Sequence, residues 1–288
     1  MRRGKGAIVV ADANASERQG LVQKFSEQDQ DVAVLEAPSA DLLRTILAEQ
    51  PVDMLLISEQ FSNNSGLDIL EQLGPLVQGV ITILMDEYFS RDTLAQASRT
   101  NLYDCIQTPL KEADVVRLLK RRDAQKTRLS ALVVDSQPAA RHIIFKLLSD
   151  SRFDLMTSEA ESGPLAVSLC KSIPYQILLV DPATKDWRGA GMVKHITDRQ
   201  ALCRIVLMSA NDKESLQDQY HDVNISGFLK KPFYARDLDR VLHQLMKVPV
   251  SNLLKDDFYE TQSPLSGSSL SGKSRNRAPD GGREIVWL

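Results

Sequence analysis

Ile177-Leu178-Leu179-Val180-Asp181 is a short, unbroken apolar run closed by a carboxylate. Its length and its Ile/Val/Leu content suit a strand buried on both faces, where no polar alternation is needed. Ala131-Leu132-Val133-Val134-Asp135-Ser136 and Ile205-Val206-Leu207-Met208-Ser209 have the same form. Gly227-Phe228-Leu229-Lys230-Lys231-Pro232 completes the set, with a lysine locked beside a proline. In an open parallel sheet, ligands collect at the carboxyl ends of the strands, so the groups closing these runs are the ones that matter for chemistry.

Working outward, the apolar runs Ala131–Val134, Leu155–Thr157, Ile177–Val180, Ile205–Met208 and Gly227–Leu229 echo an earlier series. That series is Ala7–Val10, Val32–Leu35, Met54–Ile57, Val80–Leu84 and Tyr103–Ile106. Between them lie stretches such as Leu42–Ala48 and Ala113–Leu119, apolar at spacings of three and four. Strand then helix, five times in each half, predicts an α/β fold of two tandem, doubly wound, five-stranded parallel sheets of flavodoxin-like form. Paired landmarks support a repeat: Ala11 to Asp135 is 124, Ser58 to Asp181 is 123, Gly66 to Gly189 is 123, Met85 to Ser209 is 124 and Pro109 to Pro232 is 123. The expected domains are 1–123 and 129–248, joined by the basic segment Lys120–Arg128, read as a solvated helix end. Residues 249–288, rich in Ser, Gly and Asn, are expected to form a disordered tail.

The formal net charge of -3, from 35 basic and 38 acidic residues, supplies no global field toward nucleic acid or anionic lipid. No apolar run approaches the roughly 20 residues of a membrane helix, and the apolar part of the N-terminal stretch is too short for a signal peptide. The cytoplasm is therefore the expected location. Cys105, Cys170 and Cys203 lie far apart in apolar runs and are expected as buried, reduced thiols.

Asp135, Asp181, Ser209 and Lys231 thus end four strands of the second half. Paired carboxylates hold a hard divalent cation, a carboxylate is a nucleophile toward phosphorus, and a hydroxyl with an ammonium neutralises transferred oxygens. The four residues resemble the site of the receiver domains of two-component response regulators. The resemblance implies that Asp181 is the phosphoacceptor, that Ser209 and Lys231 contact the phosphoryl group, and that Asp135 and Asp181 bind Mg2+. It places Phe228 at the aromatic switch position, with core packing as the equal alternative. It also implies a histidine kinase or phosphotransfer protein as donor and a downstream protein partner, with a homodimer left open. Two departures stand out. Ser136 replaces a second acidic residue, which should weaken the metal site, and Lys185 replaces a proline four residues beyond the acceptor.

In the first half the corresponding positions read as Ala11 and Asp12, Ser58, Met85 and Thr108, which makes that unit a degenerate pseudo-receiver kept for its surface. Glu59 could imitate a constant negative charge, but simple exposure explains it more economically. The tail segment Gly267–Ser274 matches the phosphate-loop pattern GxxxxGK[ST] without the strand and helix such a loop requires, so it is set aside. His142, His195, His221 and His243 show no metal-binding or phosphohistidine-box spacing. Glu284-Ile285-Val286-Trp287-Leu288 is an apolar end on a polar tail and a candidate docking peptide. Taken together, the expected function is a phosphorelay response regulator that is not an enzyme and acts through protein contacts. The alternative is a scaffold that works without phosphorylation.

Overall fold

A computed structural model describes residues 6–97, 99–100, 102–125 and 127–254. In the first unit β1 (Ala7–Ala11), α1 (Ala15–Gln28), β2 (Val34–Ala37), α2 (Ala40–Glu49) and β3 (Val52–Ser58) are followed by a small antiparallel pair, β4 (Gln60–Phe61) and β5 (Asn64–Ser65). Then come α3 (Gly66–Leu73), β6 (Ile81–Asp86), α4 (Arg91–Ala97), β7 (Asp104–Gln107) and α5 (Glu112–Gln125). The second unit runs β8 (Leu129–Val134), α6 (Pro138–Ser149), β9 (Leu155–Ala160), α7 (Gly163–Ser172), β10 (Ile177–Val180), α8 (Ala190–Thr197), β11 (Arg204–Ser209), α9 (Lys213–Tyr220), β12 (Gly227–Lys230) and α10 (Ala235–Leu245). All strands of the two large sheets pair in parallel, in the orders β2-β1-β3-β6-β7 and β9-β8-β10-β11-β12. This is the expected doubly wound α/β fold, twice. Among the described residues no helix is long and apolar enough to cross a membrane.

Helix starts follow local chemistry. Asn14 accepts from the backbone N–H of Ser16 and Glu17, and Ser39 and Ser162 accept from Leu42 and Leu165, which satisfies donors that a helix leaves open at its first turn. Each sheet then buries both faces. Val9, Ala11, Leu55 and Ile57 pack with α2 and α3, while Ile8, Val10, Met54 and Leu56 pack with Phe25 of α1 and Leu118 of α5. In the second unit Leu132, Val134 and Leu178 share a core with Cys170 and Ile196, and Ala131, Val133 and Leu179 share another with Ile144 and Leu242. All three cysteines are buried free thiols.

The repeat is more regular than the expected landmarks indicated. Val9 pairs with Leu35 as Leu132 pairs with Ser158, the Thr82 carbonyl accepts from Tyr103 N as that of Ile205 accepts from Ser226 N, and both α2 and α7 begin after a capping serine. Every one of these pairs differs by 123 in number. The offset of 124 assigned to Ala11 and Met85 is therefore a slip of one residue, and the true counterparts of Asp135 and Ser209 are Asp12 and Asp86. The slip has a physical source. Strands covered on both faces are apolar at every position, so they lack the alternation that would fix a register.

Two further expectations change. Arg121 and Arg122, read as part of a solvated helix end, are buried and paired with Asp104 and Asp29. The first six residues of the expected disordered tail are described, and they contain a structured segment. Residues 250–254 belong to the first unit by their contacts, although the second unit precedes them in the chain. Asn252–Leu254 form a 3-10 turn there, and Leu253 joins the first unit's core. The Gly267–Ser274 and Glu284–Leu288 segments lie outside the described residues.

Candidate functional site

Asp135 directly follows β8. Its N–H donates to the Ala160 carbonyl at 3.1 Å, and its own carbonyl accepts from Arg141 Nη1 at 2.8 Å. Arg141 is in turn held by Glu159 at 3.0 Å, so a buried arginine anchors the strand end from α6. Asp181 follows β10 and donates its N–H to the Val134 carbonyl at 2.9 Å. These two backbone placements bring the carboxylates of neighbouring strands to one spot. Lys231, after β12, donates its N–H to the Ser209 carbonyl at 2.8 Å. Its Nζ reaches across to Asp135 Oδ2 and Asp181 Oδ2, each at 2.6 Å.

One ammonium thus bridges two carboxylates, and the remaining oxygens are also engaged. Asp135 Oδ1 accepts from Gln137 N at 2.8 Å, and Asp181 Oδ1 accepts from Ala183 N at 2.7 Å. The Asp135 side chain is 2% exposed and that of Asp181 17%, so Asp181 is the one that an incoming molecule can reach. Burial by itself would depress the Lys231 pKa. The hydrogen bonds and charges of Asp135 and Asp181 outweigh that effect and raise it, so the lysine is a fixed cation here.

Ser209 is the last residue of β11 and buried, with its Oγ accepting from Asn211 N at 3.0 Å. Its hydroxyl makes no hydrogen bond to Asp135, Asp181 or Lys231 among the described residues, so three of the four predicted side chains meet directly and the fourth closes an adjacent strand. Phe228 is half-buried against the core beneath α7, α8 and α9. Ser136, at the missing acid's position, is exposed.

Two contacts near the site carry no sequence signature. Thr184 Oγ1 donates to the Val134 carbonyl at 3.2 Å, pinning the loop after Asp181 to β8. Trp187 Nε1 donates to the Tyr220 hydroxyl at 3.0 Å. Burial raises the Tyr220 pKa against the lowering effect of the Trp187 hydrogen bond, and the negative charge of Asp181 adds to the rise. A hydroxyl and an indole separated by 33 positions cannot be matched before the fold joins them.

Magnesium is a hard cation that keeps much of its water and needs few protein oxygens beyond one or two carboxylates. Asp135 and Asp181 meet that minimum. Among the described residues no group of three or more His, Cys, Asp or Glu side chains could hold a metal ion. The donor set fits magnesium.

The first unit has the same frame with other contents. Asp12 Oδ1 accepts from Asn14 N at 2.7 Å, its carbonyl accepts from Arg18 Nη1 at 2.7 Å, and Arg18 pairs with Glu36 at 2.8 Å. Ser58 stands for Asp181, Asp86 for Ser209 and Thr108 for Lys231. Thr108 N donates to the Asp86 carbonyl at 2.8 Å, as Lys231 N does to that of Ser209. Glu59 is half-buried, with Oε1 accepting from Ser65 Oγ at 2.8 Å. Burial raises its pKa against the lowering effect of the Ser65 and Leu67 hydrogen bonds, and the charges of Asp86 and Asp68 add to the rise. Gly66 is required for space, since a Cβ there would lie 2.4 Å from the Ser58 carbonyl oxygen. Its counterpart Gly189 is required for conformation, at φ 57°.

Residues 131–243 match the family model described as the response regulator receiver domain. Over 116 residues the chain is 29% identical to the chemotaxis protein CheY of Bacillus subtilis (strain 168), a match covering 40% of this chain and 93% of that protein. Among solved structures, a putative two-component system response regulator/GGDEF domain protein aligns with 85% of this chain and 99% of its own, at TM-score 0.60 and 19% identity. A second, a probable two-component system response regulator/GGDEF domain protein, gives 0.61 and 21% over the same shares. At such identities these two structures speak for the fold alone. The second unit is a response regulator receiver domain, and the chain carries two receiver-like units in tandem.

Proposed function

We propose that the chain is a phosphorelay response regulator in which Asp181 accepts a phosphoryl group and the first unit is a pseudo-receiver that works through its surface. The single observation that carries this reading is the bridge from Lys231 Nζ to both Asp135 and Asp181 at 2.6 Å. A cation already placed on the acceptor neutralises phosphoryl oxygens without further rearrangement. In the transfer, an Asp181 oxygen attacks phosphorus as the phosphorus–nitrogen bond of a donor phosphohistidine breaks, and the departing imidazole nitrogen takes a proton from water. Lys231 and Ser209 then contact the transferred oxygens. Asp135 and Asp181 would hold a magnesium ion, whose contribution is to offset the negative charge on phosphorus.

On this reading the donor is a histidine kinase or phosphotransfer protein, and the output is a gain or loss of a protein partner in the cytoplasm. The protein is a phosphoryl acceptor and acts on no metabolite. The first unit lacks both the acceptor and the lysine, at Ser58 and Thr108, which supports a surface role. The second reading, a phosphorylation-independent scaffold, draws on Ser136 and on the full engagement of all four carboxylate oxygens.

Incubation with a small phosphodonor and magnesium, followed by intact mass measurement, separates the two. One added phosphoryl group in the parent chain and none in Asp181→Asn is the expected result. An unchanged parent mass at high magnesium would leave the scaffold.

A further inference from the structure

Helix α9 is lightly held. Of its described side chains only Leu216 and Tyr220 are buried, and the Asp212 side chain at its N-cap makes no capping bond. The pair of Asp212 and Lys230 at its start is largely exposed and adds little. Elements with so few buried contacts lie at the low end of local stability. Tyr220 therefore supplies much of the anchorage of α9, and the polar part of it is the bond that the phenol oxygen accepts from Trp187 Nε1 at 3.0 Å. Trp187 belongs in turn to the loop of Asp181. The Asp181 carbonyl accepts from Thr184 N at 3.0 Å, the Thr184 carbonyl from Trp187 N at 3.0 Å, and Asp181 Oδ1 from Ala183 N at 2.7 Å. Residues 181–187 thus form two consecutive turns with Asp181 at one end and the indole at the other.

The repeat supplies an internal control. At the constant offset of 123, Asp181 corresponds to Ser58, Trp187 to Asn64 and Tyr220 to Ala97. The unit without the aspartate also lacks the indole and the phenol. The tie between loop and helix is therefore peculiar to one copy and is no by-product of the fold.

We propose that Trp187 and Tyr220 are positioning residues that tie α9 to the acceptor loop, so that a phosphoryl group on Asp181 is read out as release of α9. This regulation rests on the reading of Asp181 as the acceptor. A phosphoryl group adds bulk, charge and strong acceptor oxygens at the carboxylate, where Oδ1 now holds Ala183 N. The first turn must readjust, and the second passes the change to the indole. A hydrogen bond weakens steeply as its angle departs from linear, so the bond to Tyr220 breaks where a softer contact would bend. Helix α9 then loses the polar part of its anchorage and keeps only its apolar contacts. The bond thus gives α9 two discrete states that the occupancy of Asp181 biases.

Tyr220→Phe removes the hydroxyl and keeps the ring in the core, so folding is preserved. Amide exchange of α9 is measured in the full chain and in this variant, each before and after phosphodonor and magnesium, with intact mass reporting the labelling of Asp181. Trp187 emission in a Trp287→Phe background, which leaves a single tryptophan, follows the indole in the same samples. In the parent, labelling should speed exchange in α9 several-fold and shift the emission. In Tyr220→Phe, exchange in α9 should be fast beforehand and labelling should add nothing to it, although Asp181 still labels. A bond with a purely structural role would leave the labelling increment equal in both chains, and that result would overturn the proposal. A labelled parent with unchanged exchange in α9 would overturn it as well. An unlabelled parent would instead overturn the assignment of Asp181 as acceptor, and this proposal with it.

Discussion

Asp12 and Asp135 occupy the same place in their two sheets. Each sits in the frame the two units share: its carboxylate accepts from the N–H two residues on, at 2.7 and 2.8 Å, and its carbonyl accepts from an arginine six residues on, at 2.7 and 2.8 Å. The first unit therefore retains the inner carboxylate and lacks counterparts of Asp181 and Lys231, with Ser58 and Thr108 in their places. It also carries an acid, Asp86, where the second unit has the Ser209 hydroxyl.

This correspondence can be tested by rebuilding. Ser58→Asp with Thr108→Lys should place an ammonium between Asp12 and the new carboxylate, yet Asp86 would repel a phosphoryl group. Intact mass after phosphodonor treatment should show one added group in the double variant and two when Asp86→Ser is included. A second group without the Asp86 change would mean that position 86 does not face the site.

Replacing Lys231 removes the countercharge from two carboxylates. Lys231→Met should abolish labelling and destabilise the second unit by about 1–3 kcal/mol, the range for leaving buried polar groups unpartnered, since Asp181 keeps some access to water. The raised folded-state pKa gives the pH dependence a definite sign. The contribution is complete below the ordinary lysine value near about 10.4 and is lost as pH rises through the higher folded value. Urea melts should show a constant gap between parent and variant from neutral pH to about pH 10, closing above that. A gap closing near neutrality would contradict the bridge.

At position 136 a carboxylate should strengthen the metal site. Ser136→Asp is expected to tighten magnesium binding on the order of tenfold, equivalent to about 1.4 kcal/mol, and to speed labelling in parallel. Titration followed by Trp187 emission in a Trp287→Phe background measures the first and timed mass spectra the second. If neither changes, another group already completes the coordination.

The buried pair of Asp104 and Arg121 depends on the chain that returns after the second unit. Arg121 Nη2 donates to the Val250 carbonyl at 2.7 Å, Ser251 Oγ to that of Tyr103 at 2.7 Å, Asn252 N to Asp104 Oδ1 at 2.7 Å, and Asn252 Nδ2 to the Cys105 carbonyl at 2.8 Å. These side-chain bonds satisfy the outer edge of β7 without adding a strand. Asp104→Asn should cost the first unit about 3–5 kcal/mol, since it leaves a buried guanidinium uncompensated. Truncation after Pro249 should abolish amide-exchange protection in β7 while Asp181 labels at its normal rate. Unchanged protection would show that the edge is stable alone.

A chain beginning at Asp123 tests the other half. Ala124 packs in the second unit's core and Gln125 donates to the Arg152 carbonyl at 2.8 Å, so a cut at that point preserves those contacts. Labelling should persist within about twofold, because the unit has its own core and site. Poor labelling would tie the site's integrity to the first unit.

Much of this was legible in the residues. Runs such as Ile177–Val180 announce doubly covered strands because only apolar side chains survive on both faces, and Asp135, Asp181, Ser209 and Lys231 were visible because they interrupt those runs at their ends. The same uniformity hid the register. With every strand position apolar, Ala11 and Asp12 were equally good partners for Asp135, and only hydrogen bonds to Asn14 and Arg18 chose between them. Burial of Arg121 was hidden for a related reason: a basic run reads as solvated until a distant acid, here Asp104, and a returning carbonyl from Val250 are brought to it. The sequence by itself determined the repeated α/β fold and the polar groups that close its strands, since both follow from local pattern. Tertiary structure alone decided which residues of the two copies correspond, which charges are buried and where residues 250–254 return, since each rests on contacts between positions far apart in the chain.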